Sequence, residues 1–487
     1  MREPTREEKY RVLKGPEEIE GLYKKITKSV YRQNYHMQPV TGLLNDPNGF
    51  VYYDGYWHLF YQWCPWGAFH GLKYWYHVVS EDLIKWKNKG VFLKPDSEFD
   101  NKGVYSGTAL PTSDRLELFY TGNHRDDDWT RCSYTCLAKL NEDSGEAEKE
   151  EKPLFGPADG YTEHQRDPKI IYNAEKKKYY ILLGAQTNDM RGCGILYESN
   201  DFTGEWHFAG ELKVPGFEKF GFMWECPSIQ HIGDKDVLFF CPQGIKLPGH
   251  GEVKNHNGYI VGKMDYDNLT FTPEMGFRFL DEGFDFYAAQ CCEGNYSDEH
   301  SVLIGWMGLP DSAYPTDEED WSGCMTVVRE LAVEGNRLIQ RPLRGLESLK
   351  GEKLDPKEKI LPKSCKMEIT NLSDDFSLKL FCDENSKGGL KIKYNSEENE
   401  IFADRSHLKR RFNSEFGEER NFGFESPLQK IEIFIDSSSV EIFFNDGEVV
   451  FTSRVFPTEI ENHFDFKGNG KVRIWDMNPA VKDDFIV

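Results

Sequence analysis

No apolar run in this sequence approaches the roughly 18 residues that a membrane-crossing helix requires, so no segment is expected to span a bilayer. The opening stretch is crowded with Glu, Lys and Arg and lacks the apolar core of a secretory signal, so the expected compartment is the cytoplasm. Positive charge is scarce: 59 Lys and Arg stand against 82 Asp and Glu, a net charge of −23. Nucleic acids and anionic membrane surfaces need a basic footprint, which excludes both as partners. A small anionic ligand is admissible only in a local basic pocket that works against the overall field. Metal-ligand spacing is missing too. No CxxC pair is accompanied by a second pair or a histidine set, and Cys132 with Cys136 is the nearest approach. The eleven cysteines are expected as reduced, mostly buried thiols.

What remains is a packed globular chain of 487 residues, 39% hydrophobic and 14% aromatic, long enough for two or three domains. Residues 1–32 read as a helical arm: Pro16-Glu17-Glu18 can start a helix, and Ile19, Leu22, Tyr23, Ile26 and Val30 recur at helical spacing. A first strand is expected near Tyr35–Gln38. From residue 33 to 342 helical periodicity vanishes. Short β-branched and aromatic runs alternate with Gly, Asp and Asn turns, as in Tyr74–Val79, Leu116–Tyr120, Tyr179–Leu183 and Val302–Trp306. Residues 343–356 read as a linker with a short helix. Residues 357–487 alternate strictly, with Ile431, Ile433 and Ile435 on one face and Val440, Ile442 and Phe444 after a turn, which predicts a β-sandwich with one wet face. Its surfaces could pair two copies as a homodimer.

Three stretches in the first region share a plan. NDPNGFVYYDGYWHLFYQ, RDPKIIYNAEKKKYYILLG and ECPSIQHIGDKDVLFFC each run from an acid and a proline into a strand, a polar turn and a second strand. Asp46, Asp167 and Glu225 hold the same place in each, spaced by two units and then one unit of about 60 residues, as in a propeller with blades of that length. Equivalent positions on inner strands converge on one axis, so three acids distant in sequence would meet. Taken alone, each acid is more often a turn cap: Asp46-Pro47-Asn48-Gly49 reads locally as a turn.

Paired carboxyls in different surroundings are what glycoside cleavage needs, and a retaining enzyme sets them about 5–5.5 Å apart. Glu225, among Phe220, Phe222, Met223 and Trp224, is expected as the protonated acid. Asp46, beside Asn45 and turn N–H groups, is expected as the ionised nucleophile. Asp167 is expected to stay charged beside Arg166 and to grip sugar hydroxyls. Trp63, Trp75 and Trp306 are candidates for stacking on sugar faces.

LLNDPNG at 43–49, YSGTA at 105–109, RDPK at 166–169, WECP at 224–227, GFDFYAAQ at 283–290 and GWM at 305–307 occur in this order and together resemble glycoside hydrolase family 32, the invertases, fructanases and sucrose-6-phosphate hydrolases. Weaker likeness continues to DRS at 404–406 and SRVFP at 453–457. The resemblance implies a five-bladed β-propeller followed by a β-sandwich. It implies that Asp46 attacks the anomeric carbon of a β-fructofuranosyl unit, that Glu225 is acid and then base, and that Asp167 steadies the transition state. Asn45, Gln62, Trp75, Tyr105, Ser106, Arg166 and Trp306 fall where the family lines its fructose subsite. No metal and no organic cofactor is implied.

YHMQPVTGLLNDPNGF with GAFHGLKYWYHVVSEDL is similar to the intracellular branch that cleaves sucrose 6-phosphate. The expected reaction is sucrose 6-phosphate to glucose 6-phosphate and fructose, with sucrose as a further substrate. A broad β-fructofuranosidase acting on sucrose and short fructo-oligosaccharides is the alternative, and a non-catalytic sugar-binding propeller is the more distant one. Without a glycine-rich phosphate loop, a phosphate needs cationic donors. The candidates are His70, Lys73 and Arg125, followed by Lys246, His250 and Lys254.

Overall fold

A computed structural model of the chain describes residues 3–141, 143–294 and 301–487, so the first two residues of the expected arm lie outside it. Among the described residues seven sheets account for the fold. Five of them form blades whose innermost strands are Gly42–Tyr53, Val104–Pro111, Tyr161–Asn173, Met223–Ile232 and Tyr287–Cys291. These strands touch in sequence, and the fifth returns to the first, closing a five-bladed propeller. Ring closure is held by main-chain bonds: the amide of Tyr52 donates to the Glu293 carbonyl, and the amide of Glu293 to the Phe50 carbonyl.

Within each blade the strands meander antiparallel, as the alternation predicts. The Asp54-Gly55 turn joins the first two strands with both residues at positive φ, which matches the twist of a two-residue hairpin. Asp46 to Gly49, by contrast, is no hairpin turn. It lies inside the continuous strand Gly42–Tyr53, which slips register between Leu44 and Pro47 and again between Asn48 and Val51. Proline cannot donate to a ladder, so the strand accommodates Pro47 at this bulge. Gly49, at φ 53°, leaves room for the Phe60 ring, which a Cβ would approach to 2.8 Å.

The other two sheets, of six and five strands, make the C-terminal sandwich. Its core takes Ile431, Ile433, Ile435, Val440, Ile442 and Phe444, the residues that the alternation assigned to one side. The opposite side is not wet. Phe434, Phe443 and Val450 pack into the first blade's apolar cluster, so this sheet is buried on both faces. Charges on that face are therefore buried too. Arg329 donates to Asp281 at 3.0 Å and to Glu441 at 2.8 Å, with all three side chains shut off from solvent.

Three further expectations change. Among the described residues the N-terminal arm carries short α-helices at Arg6–Lys9 and Glu20–Ile26 and a 3-10 turn at Pro16–Glu18, not one continuous helix. No strand forms at Tyr35–Gln38; His36 instead sits between Asp436 and Glu441 of the sandwich, 2.9 and 3.1 Å away. Part of the expected linker, Lys350–Leu354, is a strand paired with Lys471–Met477.

Candidate active site

The bulge around Asp46 is not isolated. Register slips also fall between Tyr105 and Gly107, opposite Arg166–Lys169, between Glu225 and Ser228, and between Tyr287 and Gln290. Each inner strand thus bends at its site residue, and three of them use a left-handed residue to do it: Asp167 at φ 66°, Cys226 at 48° and Ala288 at 52°. A bulge re-aims side chains out of strict alternation. That is how Asp46, Ser106, Asp167, Glu225 and Tyr287 come to face a common axis.

Asp46 is bonded through both oxygens. Oδ1 accepts from Asn45 Nδ2 at 3.0 Å, and Oδ2 from Ser106 Oγ at 2.7 Å. Gln62 links the two, accepting from Asn45 at 2.9 Å and donating to Ser106 at 2.7 Å. Burial raises the Asp46 carboxyl and Glu225 adds to that, while the Ser106 and Asn45 hydrogen bonds and the Lys73 charge oppose it.

The Glu225 carboxylate is not in an apolar pocket. Arg166 donates to Oε1 through Nη2 at 2.5 Å and Nε at 3.2 Å, and Gln243 Nε2 and Tyr287 Oη each donate to Oε2 at 2.7 Å. Asp167 accepts from the Cys226 amide at 2.9 Å. Three carboxylates crowd together here, with Arg166 and Lys73 close by and Arg131 acting on Asp167. Burial foremost, with Glu225 and Asp46 adding, pushes Asp167 up to about 7 against the pull of Arg166 and the Cys226 N–H. The cluster therefore holds a proton into the neutral range, and Asp167 is not kept charged by its neighbour in the way its sequence position suggested.

The expected aromatic platforms are set back. Trp63 and Trp75 are wholly buried and Trp306 nearly so. The Trp75 indole donates to the Tyr105 carbonyl at 3.1 Å, fixing Tyr105 rather than offering a face of its own. Trp63 donates to Thr41, and the Trp306 indole N–H is buried without a partner.

The expected phosphate ligands separate. Lys73 is buried on the site floor, its Nζ 2.5 Å from Asn45 Oδ1. His70 stands edge-on to the Trp306 ring, centroids 6.3 Å apart, and the loss of hydration there, with Lys73 and Lys9, pushes its pKa down to about 3. Lys246 is tied to Glu252 and His250 to Glu282. Arg125, which donates through Nη1 to the Trp129 carbonyl at 2.8 Å, lies beside Arg131, which sequence reasoning missed. The two are cross-strand partners, and Arg131 lies over the Tyr105 ring at 5.5 Å within the electrostatic reach of Asp167. Tyr287 and Gln243 were missed as well. Tyr287 sits in GFDFYAAQ at the matching inner-strand place and could have been found there; Gln243 is placed by strand pairing, opposite Met223.

The glycosyl hydrolases family 32 N-terminal domain is matched over residues 36–342, and the family 32 C-terminal domain over 341–479. A sucrose-6-phosphate hydrolase of Staphylococcus xylosus is 39% identical over 479 residues, 94% of each chain. One from Bacillus subtilis is 35% identical and covers 95% of this chain and 97% of that one. Among solved structures, the sucrose-6-phosphate hydrolase of Lactobacillus gasseri is similar at a TM-score of 0.92 and 35% identity, covering 98% of this chain and all of that one. A family 32 β-fructofuranosidase of Bombyx mori is similar at 0.82 and 29%, covering 96% of this chain and all of that one. With both halves matched over the length that carries the propeller and the sandwich, the chain belongs to glycosyl hydrolase family 32.

Proposed function

We propose that this chain is a retaining β-fructofuranosidase whose substrate is sucrose 6-phosphate, with sucrose as a further substrate. The observation that carries the chemistry is the convergence of Asp46, Asp167 and Glu225 on bulged inner strands. Asp46 attacks the anomeric carbon, and the bond to the glucosyl oxygen breaks as Glu225 gives that oxygen a proton. Water, losing a proton to Glu225, then releases fructose from Asp46. Sugar hydroxyls donating to Asp167 favour its ionised form, which suits a carboxylate that steadies the developing positive charge. Arg166 holds Glu225 in place, and Asn45, Gln62, Ser106 and Tyr105 shape the fructose subsite, with Trp75 and Trp306 behind it.

The phosphate reading is supported by Arg125 and Arg131. Arg125 Nε and Arg131 Nη2 are buried without partners, and among the described residues no carboxylate lies within 4.0 Å of either guanidinium. In a chain of net charge −23, two adjacent unpaired arginines beside the site suit a dianion. Eleven free thiols fit a reducing cytoplasm. Among the described residues no helix is long and apolar enough to cross a membrane.

The test is kcat/KM for sucrose 6-phosphate against sucrose and a short fructo-oligosaccharide. A tenfold preference for the phosphorylated sugar is about 1.4 kcal/mol of transition-state contact, and Arg131→Ala should erase it while sparing sucrose. Equal values for the three sugars in the parent enzyme would reduce the reading to a general β-fructofuranosidase.

A further inference from the structure

We propose that Lys73 is a positioning residue that sets the direction of the hydrogen bonds that the Asp46 carboxylate accepts from Asn45 and Ser106 and thereby holds that carboxylate ready to attack. This rests on the reading of Asp46 as the nucleophile.

The direction follows from what each group can do. An ammonium only donates, so the Asn45 atom 2.5 Å from Lys73 Nζ must be the carbonyl oxygen. That commits Asn45 Nδ2, whose two hydrogens go to Asp46 Oδ1 and to Gln62 Oε1. With its oxygen used, Gln62 turns Nε2 toward Ser106 Oγ. Ser106 accepts there and has one hydrogen left, which goes to Asp46 Oδ2. A single cation that cannot accept thus orders two amides and a hydroxyl that could each face either way. Asn45, Gln62, Ser106 and Lys73 are all buried, so water does not compete for these bonds. An amide turned the wrong way would set an oxygen against the Asp46 carboxylate, with repulsion in place of a bond.

Several groups face this relay. Asp46 and Cys64 act on Lys73 through space, and Lys73 acts on His70. Asp46 faces Glu225, Asp167, Cys226 and Cys241 as well. Among these, Lys73 is the one cation acting on Asp46, so its charge both orders the donors and favours the ionised nucleophile.

The test compares the parent enzyme with Lys73→Met and Lys73→Arg through pH profiles of kcat/KM and thermal melts. In Lys73→Met the acid limb should move up by about half a pH unit or more and kcat should fall about tenfold or more, with Arg restoring most of the limb. A residue that merely filled space would lower the melting temperature and leave the limb where it was. If Lys73→Met does not fold, Lys73→Gln, which keeps a donor without the charge, must show the same upward shift. A limb unmoved in the folded uncharged variant overturns the proposal. Asp46→Asn separates the two levels: substantial turnover in it sinks the nucleophile reading itself, whereas an inert Asp46→Asn with an unmoved Lys73→Met limb sinks only the relay.

Discussion

Arg166 is bonded to Glu225, 59 residues away, and not to its neighbour Asp167: Nη2 lies 2.5 Å from Glu225 Oε1, while Nε is 4.0 Å from Asp167 Oδ2. Its third nitrogen, Nη1, meets His164 Nδ1 at 3.0 Å. The flat fork therefore fixes the Glu225 carboxylate in one plane. A lysine brings one ammonium and cannot span these partners. Arg166→Lys should lower kcat/KM by about a hundredfold with little change in melting temperature, in steady-state kinetics beside a thermal scan. Near-parental kinetics would show that charge alone suffices at this place.

Much of the propeller was legible because its signals are local. Asp54-Gly55 demands a tight hairpin, and the acid-proline repeats line up Asp46, Asp167 and Glu225. What adjacency cannot tell is where neighbours point on a bulged strand, so Arg166 was assigned to the wrong acid. Alternation likewise sorts residues into faces without saying what covers them. Phe434, Phe443 and Val450 were apolar residues on a face read as wet, and that conflict was the available sign of the propeller packed against it. Gln243 and Arg131 depend on strand register, for which one sequence offers no local cue.

Arg329 is the central cation of the buried joint between propeller and sandwich, shared by Asp281, Glu441 and Thr452. Removing it leaves Asp281 without its cation and Glu441 with His36 alone as cation in a dry interface, a loss of about 3–5 kcal/mol. Arg329→Met should lower the melting temperature by several degrees, more at about pH 8 than at about pH 5. Asp281 is already pushed up to about 6, burial outweighing Arg329, so acid partly neutralises what the mutation exposes. A melting curve unchanged at both pH values would mean the joint is held by its apolar contacts alone.

His36 bridges Asp436 and Glu441. Burial works against its charge, yet the hydrogen bonds that it donates to both carboxylates outweigh that and raise its pKa to about 9. A raised histidine binds its proton more tightly in the folded chain, so its contribution is full below the ordinary value of about 6.5 and fades as pH rises through about 9. The melting-temperature gap between the parent and His36→Gln should be widest near pH 6.5 and narrow toward pH 9.5. A gap that stays constant across that range would show His36 to be neutral in the fold.

Asp167 offers the opposite sign. Its pKa is raised, so the folded chain is penalised once the carboxyl must ionise, and the penalty grows as pH climbs from about 4 to about 7 and then levels off. Asparagine tolerates the left-handed backbone that Asp167 adopts and removes the charge without changing the side-chain shape. Asp167→Asn should therefore melt higher than the parent at pH 7 and above, with little difference near pH 4. The same substitution removes the carboxylate proposed to grip the fructose hydroxyls, and turnover should fall by a hundredfold or more. Both results together would mean that the crowding of three acids, costly to the fold, is kept for the reaction. Lower stability at neutral pH would instead show that the Cys226 amide and Arg166 compensate the Asp167 charge in full.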